Sequence, residues 1–142
     1  MQRDARDGVG GYGEGGECSI GQMTAYEALR AVCDAWQDGD PAAIGTLFTA
    51  DGTYEDPLAP RTFTGPDDIT EGIRPGVGEI TETQITLEKV VEQDGLVWAE
   101  GMFLSKLRAT GGRLDFPFAI MVEMDGDQIR RLVEYFDTAP LT

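Results

Sequence analysis

The chain has 142 residues, which fits one domain, and a core of this size buries about two-thirds of the unfolded surface without a metal or disulfide staple. Eleven basic residues face twenty-six acidic ones, a net charge of −15 that repels phosphate backbones and anionic lipid and argues against nucleic-acid or membrane partners. There is no histidine, which excludes Ser-His-Asp and Cys-His nucleophiles and His-based metal sites, and leaves proton transfer at neutral pH to carboxylates, tyrosines, lysines or water.

Residues 1–22 are glycine-rich and poor in apolar side chains. They read as a disordered tail before a single domain over 23–142. Cys18 lies in that tail as a free thiol, and Cys33 reads as a small core residue inside a helix. Two cysteines without metal spacing make neither a disulfide framework nor a metal site. The start lacks the apolar run of a secretory leader, and no stretch reaches membrane-spanning length, so the expected compartment is the cytoplasm.

Thr24 followed by Glu27 has the form of a capping box. Ala25, Leu29, Val32, Ala35 and Trp36 then recur at helical spacing, which predicts a helix up to Asp38-Gly39-Asp40. Asp40-Pro41 starts a second helix, with Ile44, Leu47 and Phe48 as its apolar face. Thr53-Tyr54-Glu55 predicts a short strand closed by Asp56-Pro57. Gly65-Pro66-Asp67-Asp68-Ile69 opens a short helix that stops near Pro75-Gly76.

From there the periodicity becomes that of strands. Residues 80–92 alternate, with Glu82, Gln84, Thr86 and Glu88 on one face and Ile85, Leu87 and Val91 on the other. Turns at Gln93-Asp94-Gly95, Thr110-Gly111-Gly112 and Asp125-Gly126-Asp127 separate further strands over 96–108, 113–124 and 128–137. Helices followed by a meander of long strands imply an α+β fold. Long strands curl, and a curled antiparallel sheet covered by amphipathic helices leaves a cavity on its concave face.

The string Leu47-Phe48-Thr49-Ala50-Asp51-Gly52-Thr53-Tyr54-Glu55-Asp56-Pro57 resembles the helix-to-strand entry of the SnoaL-like, ketosteroid-isomerase and limonene-epoxide-hydrolase group. Asp125 through Ile129, and Glu134-Tyr135-Phe136-Asp137, resemble the final hairpin of the same group. The likeness covers about residues 24–138. It implies the nuclear-transport-factor-2-like α+β barrel: a cone-shaped, curved antiparallel sheet wrapped by N-terminal helices, with homodimers formed through the sheet. In ketosteroid isomerases the Asp of a Glu-Asp-Pro is the proton-moving base, and here that position is Asp56. Their two oxyanion donors fall on Val32 and near Ala119. In limonene epoxide hydrolases the water-holding positions match Tyr54, Asp56 and Glu134. Their Arg-x-Asp relay falls on Gly101 and Phe103. With both sets incomplete, the resemblance points to the SnoaL-like cyclases of natural-product pathways. Some of these close a ring by carbon–carbon bond formation, others by attack of an internal hydroxyl on an epoxide.

Three residues are candidate catalytic groups. Pro57 holds Asp56 extended, and in an apolar pocket the Asp56 carboxyl suits a general acid or base; the alternative is a turn Asp capping nearby amides. Glu134 alternates with Leu132 and Phe136 on one face, so an inward carboxylate there would share a proton with Asp56; the alternative is an outward, ion-paired Glu. Tyr54 shares a face with Asp56 and either donates to a developing alkoxide, positions a water, or is a core tyrosine with a satisfied hydroxyl. Trp36, Phe103, Phe116, Phe118 and Phe136 are candidate substrate-binding residues lining an apolar cavity, against plain core packing. Pro117 marks a bulge or an edge.

These features support a cofactor-independent, metal-free acid–base enzyme acting on a small hydrophobic organic substrate, as a cyclase, isomerase or epoxide-opening enzyme. A carrier of a hydrophobic metabolite would show no inward carboxylate. An assembly domain would have a filled core.

Overall fold

A computed structural model describes residues 22–137. The residues assigned to the glycine-rich tail, Cys18 included, lie outside this range except for Gln22.

The first helix, α1 (Ala25–Asp38), begins with the capping box its sequence spells: the Thr24 hydroxyl accepts from the Glu27 N–H while the Glu27 carboxylate accepts from the Thr24 N–H. It ends at Gly39, whose φ of +69° is a conformation glycine adopts without strain. Ala25, Ala28, Leu29, Val32, Cys33 and Ala35 form its buried stripe. Thr24→Ala is expected to destabilise the protein by about 1 kcal/mol in urea denaturation, because it orphans one first-turn amide.

Helix α2 (Pro41–Gly45) is capped by Asp40, as expected, but stops before Leu47 and Phe48. These two residues were expected on its apolar face. Phe48 instead starts strand β1 (Phe48–Asp56) and pairs with Ile129. The close packing of α2 on the next helix limits Gly45 to glycine: a Cβ there would run into the Pro66 carbonyl oxygen and the Thr70 hydroxyl.

A short strand the sequence did not announce, β2 (Arg61–Thr64), folds back on β1. Helix α3 (Pro66–Glu79) then runs through Pro75 rather than stopping there. Ile69, Ile73 and Val77 continue one buried stripe across the proline. Burial of that stripe offsets the hydrogen bond Pro75 cannot make, a local cost of about 3 kcal/mol.

Strands β3 (Ile80–Gln93), β4 (Leu96–Leu107), β5 (Phe116–Asp125) and β6 (Gln128–Phe136) form the predicted meander. The third long strand starts at Phe116 rather than near residue 113. Pro117 lies beyond the β6 pairing, which begins at Phe118, so it sits at a local edge as its missing N–H requires. The sheet is six-stranded, curved and unclosed, in the order β2-β1-β6-β5-β4-β3. One pairing departs from the expected antiparallel pattern: β1 and β6 run parallel. That pairing brings the chain's first long strand beside its last, and with them Tyr54 and Asp56 beside Glu134. No helix among the described residues is long and apolar enough to cross a membrane.

Candidate functional site

Between the concave sheet face and helices α1 and α3 lies a cavity of about 510 Å³. All eight residues singled out by sequence line it.

One wall is aromatic. The rings of Phe103 and Phe116, paired across β4 and β5, stack with centroids 4.8 Å apart, and Phe116 stacks on Phe136 at 5.0 Å. Trp36 meets Phe103 edge to face at 6.0 Å. Val32, Ile73, Ile85 and Ile120 fill in around them. Such a wall offers dispersion contacts and few hydrogen bonds, which suits an apolar ligand body.

The polar wall is one connected chain. The Trp36 Nε1–H donates to the Tyr54 hydroxyl oxygen at 3.2 Å. An indole nitrogen can only donate, so the phenolic proton points away from it, and Tyr54 donates to Glu134 Oε1 at 2.7 Å. Glu134 is in turn hydrogen-bonded to Asp56. Asp56 Oδ2 accepts from Arg61 at 2.9 Å, and Asp56 Oδ1 is buried with no N–H or hydroxyl donor. A proton on the Glu134 carboxyl would give Asp56 a donor that the other side chains do not. The structure thus joins Tyr54, Asp56 and Glu134, as their residue types and alternation suggested.

Electrostatics follow from burial. Glu134 is half-buried, and the area it exposes faces the cavity. Desolvation, followed by the negative charge of Asp56 and the hydrogen bond with it, holds the Glu134 carboxyl well above the usual carboxylate range, against smaller opposing effects of Tyr54 and Arg61. Tyr54, 1% exposed, is also pushed well above the ordinary phenol value, by burial first and then by the charges of Glu134 and Asp56. Its hydroxyl is engaged on both sides, so within this network it positions Glu134 rather than offering a free donor. Burial raises the Cys33 thiol to about 12, which leaves it an unreactive neutral part of the wall. Among the described residues, no group of three or more His, Cys, Asp or Glu side chains gathers as metal ligands would.

Tyr54→Phe is expected to destabilise the protein by about 1–3 kcal/mol, since it leaves the Trp36 N–H and a Glu134 oxygen unpartnered. Denaturant titration measures this. Carbon-detected NMR should show the Glu134 carboxyl moving further upward, because the Tyr54 bond lowers it in the intact protein.

The residue that sequence reasoning missed is Arg61. The signal was present: Asp56 and Arg61 bracket the four-residue segment Pro57-Leu58-Ala59-Pro60, and the turn between them places the two in register across the β1–β2 hairpin.

Comparison with known proteins identifies the family of the fold. The model of the SnoaL-like domain matches residues 29–132. The chain belongs to the SnoaL-like domain family. Among solved structures, this SnoaL-like protein resembles a hypothetical protein with a ketosteroid-isomerase-like fold from Catenulispora acidiphila DSM 44928, solved in complex with trimethylamine, at 26% identity and a TM-score of 0.74 over 82% of this chain and 90% of that one. It resembles an epoxide hydrolase of the limonene-epoxide-hydrolase-like type from M. tuberculosis at 19% identity and a TM-score of 0.67, covering 80% and 83% of the two chains. A candidate SnoaL-like polyketide cyclase from Shewanella denitrificans OS-217 matches at 13% identity and a TM-score of 0.72, covering 82% and 93%. The last two likenesses concern the fold alone. No functionally curated protein matches the chain.

Proposed function

We propose that this protein is a cofactor-independent acid–base enzyme acting on a small, uncharged, apolar substrate, and that it closes a ring or opens an epoxide in natural-product biosynthesis. The observation that carries this reading is the hydrogen-bonded Glu134–Asp56 pair set in the wall of an aromatic cavity. Two inward carboxyls favour catalysis over passive carriage, and the cavity favours either over an assembly role.

In this reading Glu134 holds a proton and Asp56 a negative charge. Asp56 accepts the proton of an attacking hydroxyl, either water or a hydroxyl of the substrate itself. The attacking oxygen forms the new C–O bond as the strained C–O bond of the epoxide breaks. The electron pair of that bond leaves on the epoxide oxygen, which takes the Glu134 proton. Asp56 then returns its proton to Glu134 across their direct hydrogen bond, and the pair is reset without bulk solvent. The Asp56–Arg61 ion pair is internally neutral, so an uncharged ligand enters at low electrostatic cost. The reading also carries a cytoplasmic homodimer paired through the outer sheet face, where Trp98 and Tyr135 stack 6.4 Å apart and stay exposed. No nucleic acid or membrane partner is involved.

The test is a panel of apolar epoxides with and without an internal hydroxyl, incubated in 18O-labelled water and followed by mass spectrometry. Conversion that falls about 100-fold or more in Glu134→Gln is expected. Label in the product marks attack by water, and its absence marks ring closure. Saturable binding of the same compounds with no conversion would replace the enzyme reading with that of a carrier.

A further inference from the structure

Two carboxyls in contact can hold one proton in two ways, and the arrangement around this pair is lopsided. Arg61 opens β2 opposite Asp56 and places a guanidinium nitrogen 2.9 Å from Asp56 Oδ2. Its head lies 5.8 Å from the Phe63 ring centre, against an aromatic face. Tyr54, by contrast, reaches Glu134. The cation therefore serves one member of the pair and a neutral donor serves the other.

We infer that Arg61 is a positioning residue of this site: held on Asp56 by the β1–β2 hairpin, it fixes the negative charge on Asp56 and leaves the shared proton on Glu134. The inference rests on the acid–base reading of the pair and adds to it the group that decides which carboxyl is acid and which is base.

The balance of forces supports this assignment. Arg61 brings a full positive charge to Asp56, whereas Tyr54 offers Glu134 only the dipole of a neutral hydroxyl, so the Arg61 contact stabilises a carboxylate more than the Tyr54 contact does. Arg61 is half-exposed, which weakens its Coulomb attraction, yet the Asp56 side chain it meets is only 3% exposed. The other ionisable groups lining the cavity around Glu134 are Cys33 on α1, Tyr54 and Asp56 on β1, and Glu79 on α3. Arg61 is the one cation among the described residues of that lining. No other lining group can break the symmetry in favour of a charged Asp56.

The consequence is directional. With the proton on Glu134, the acid is the carboxyl flanked by Phe136 and Tyr54, and the base is the carboxyl at the hairpin. A ligand is thereby oriented with its leaving oxygen toward β6 and its nucleophile toward β1.

Carbon-detected NMR of carboxyl-labelled protein tests this in the full chain, with Arg61→Gln and Arg61→Lys. At mid-range pH the intact protein should show Glu134 with the shift of a protonated carboxyl and Asp56 with that of a carboxylate. In Arg61→Gln the two should move toward intermediate values as the proton is shared, and the Glu134 ionisation should shift upward by about one pH unit. Arg61→Lys, which keeps the charge, should restore most of the asymmetry. A merely structural Arg61 would lower the melting temperature without moving either signal. An asymmetric pair that persists in Arg61→Gln overturns the inference and leaves the acid–base reading standing. An intact protein in which neither carboxyl titrates high overturns both.

Discussion

Asp56→Asn is expected to lower turnover about 10²- to 10⁴-fold, the usual worth of a positioned general base. The substitution keeps the shape of the side chain, and the amide oxygen can still accept from Arg61, so melting should show a folded protein. It also reverses the role of Glu134: the amide nitrogen introduced at position 56 would donate where the Asp56 carboxylate accepts, and the carboxylate form of Glu134 would be favoured. The Glu134 carboxyl should therefore drop toward its ordinary range, held up only by burial, since the Asp56 charge and hydrogen bond both raise it in the intact protein.

The same shift sets a pH dependence of stability. A group whose pKa is raised on folding contributes stability that is fully present below its unfolded value, here 4.5, and that is lost as pH rises through the folded value. The melting temperature of the intact protein should thus decline relative to Glu134→Gln, which carries no ionisable group at that position, as pH rises above 4.5. Parallel curves for the two proteins would mean that Glu134 is not buried in its acid form.

The second large effect lies at Gly101. A Cβ added there would run into the Thr86 carbonyl oxygen on β3 and approach the Phe118 ring to 2.9 Å. Gly101→Ala is expected to cost roughly 1–3 kcal/mol in denaturant titration, because overpacking against backbone exceeds the small entropic gain of replacing glycine in a strand. Gly101→Arg, which would restore the relay arginine of the resembling hydrolases, should fail to give a folded protein. A folded, stable Gly101→Arg would show that β3 and β4 can separate at this point.

Gly101 also shows where reading the sequence reached its limit. Alternation along the last strand grouped Glu134 with Leu132 and Phe136 on one face, leaving open whether the carboxylate turned inward or outward, and the two-residue spacing placed Tyr54 and Asp56 on one face; both groupings hold because strand periodicity is set by local backbone geometry. The capping box of α1 and the turns between the long strands were legible for the same reason. What local pattern could not supply was pairing. The parallel β1–β6 contact joins residues some 80 positions apart, and only that contact makes a dyad of two separate carboxyls. The arginine was sought on β4, where the resemblance places it, while the β1–β2 hairpin delivers Arg61 to Asp56 from a strand with little alternation of its own. Likewise Pro75 suggested an end to α3, and the apolar stripe through Val77 overrode it.

The central claim is that Glu134 and Asp56 share one proton within the cavity. Carbon-detected NMR titration of their two carboxyls in the intact protein, with Glu134→Gln and Asp56→Asn to assign the signals, tests it most directly. The account predicts that Glu134 titrates well above 4.5 and that Asp56→Asn lowers it. Two carboxyls that titrate independently, each like a free surface acid, would contradict the shared proton and with it the acid–base function.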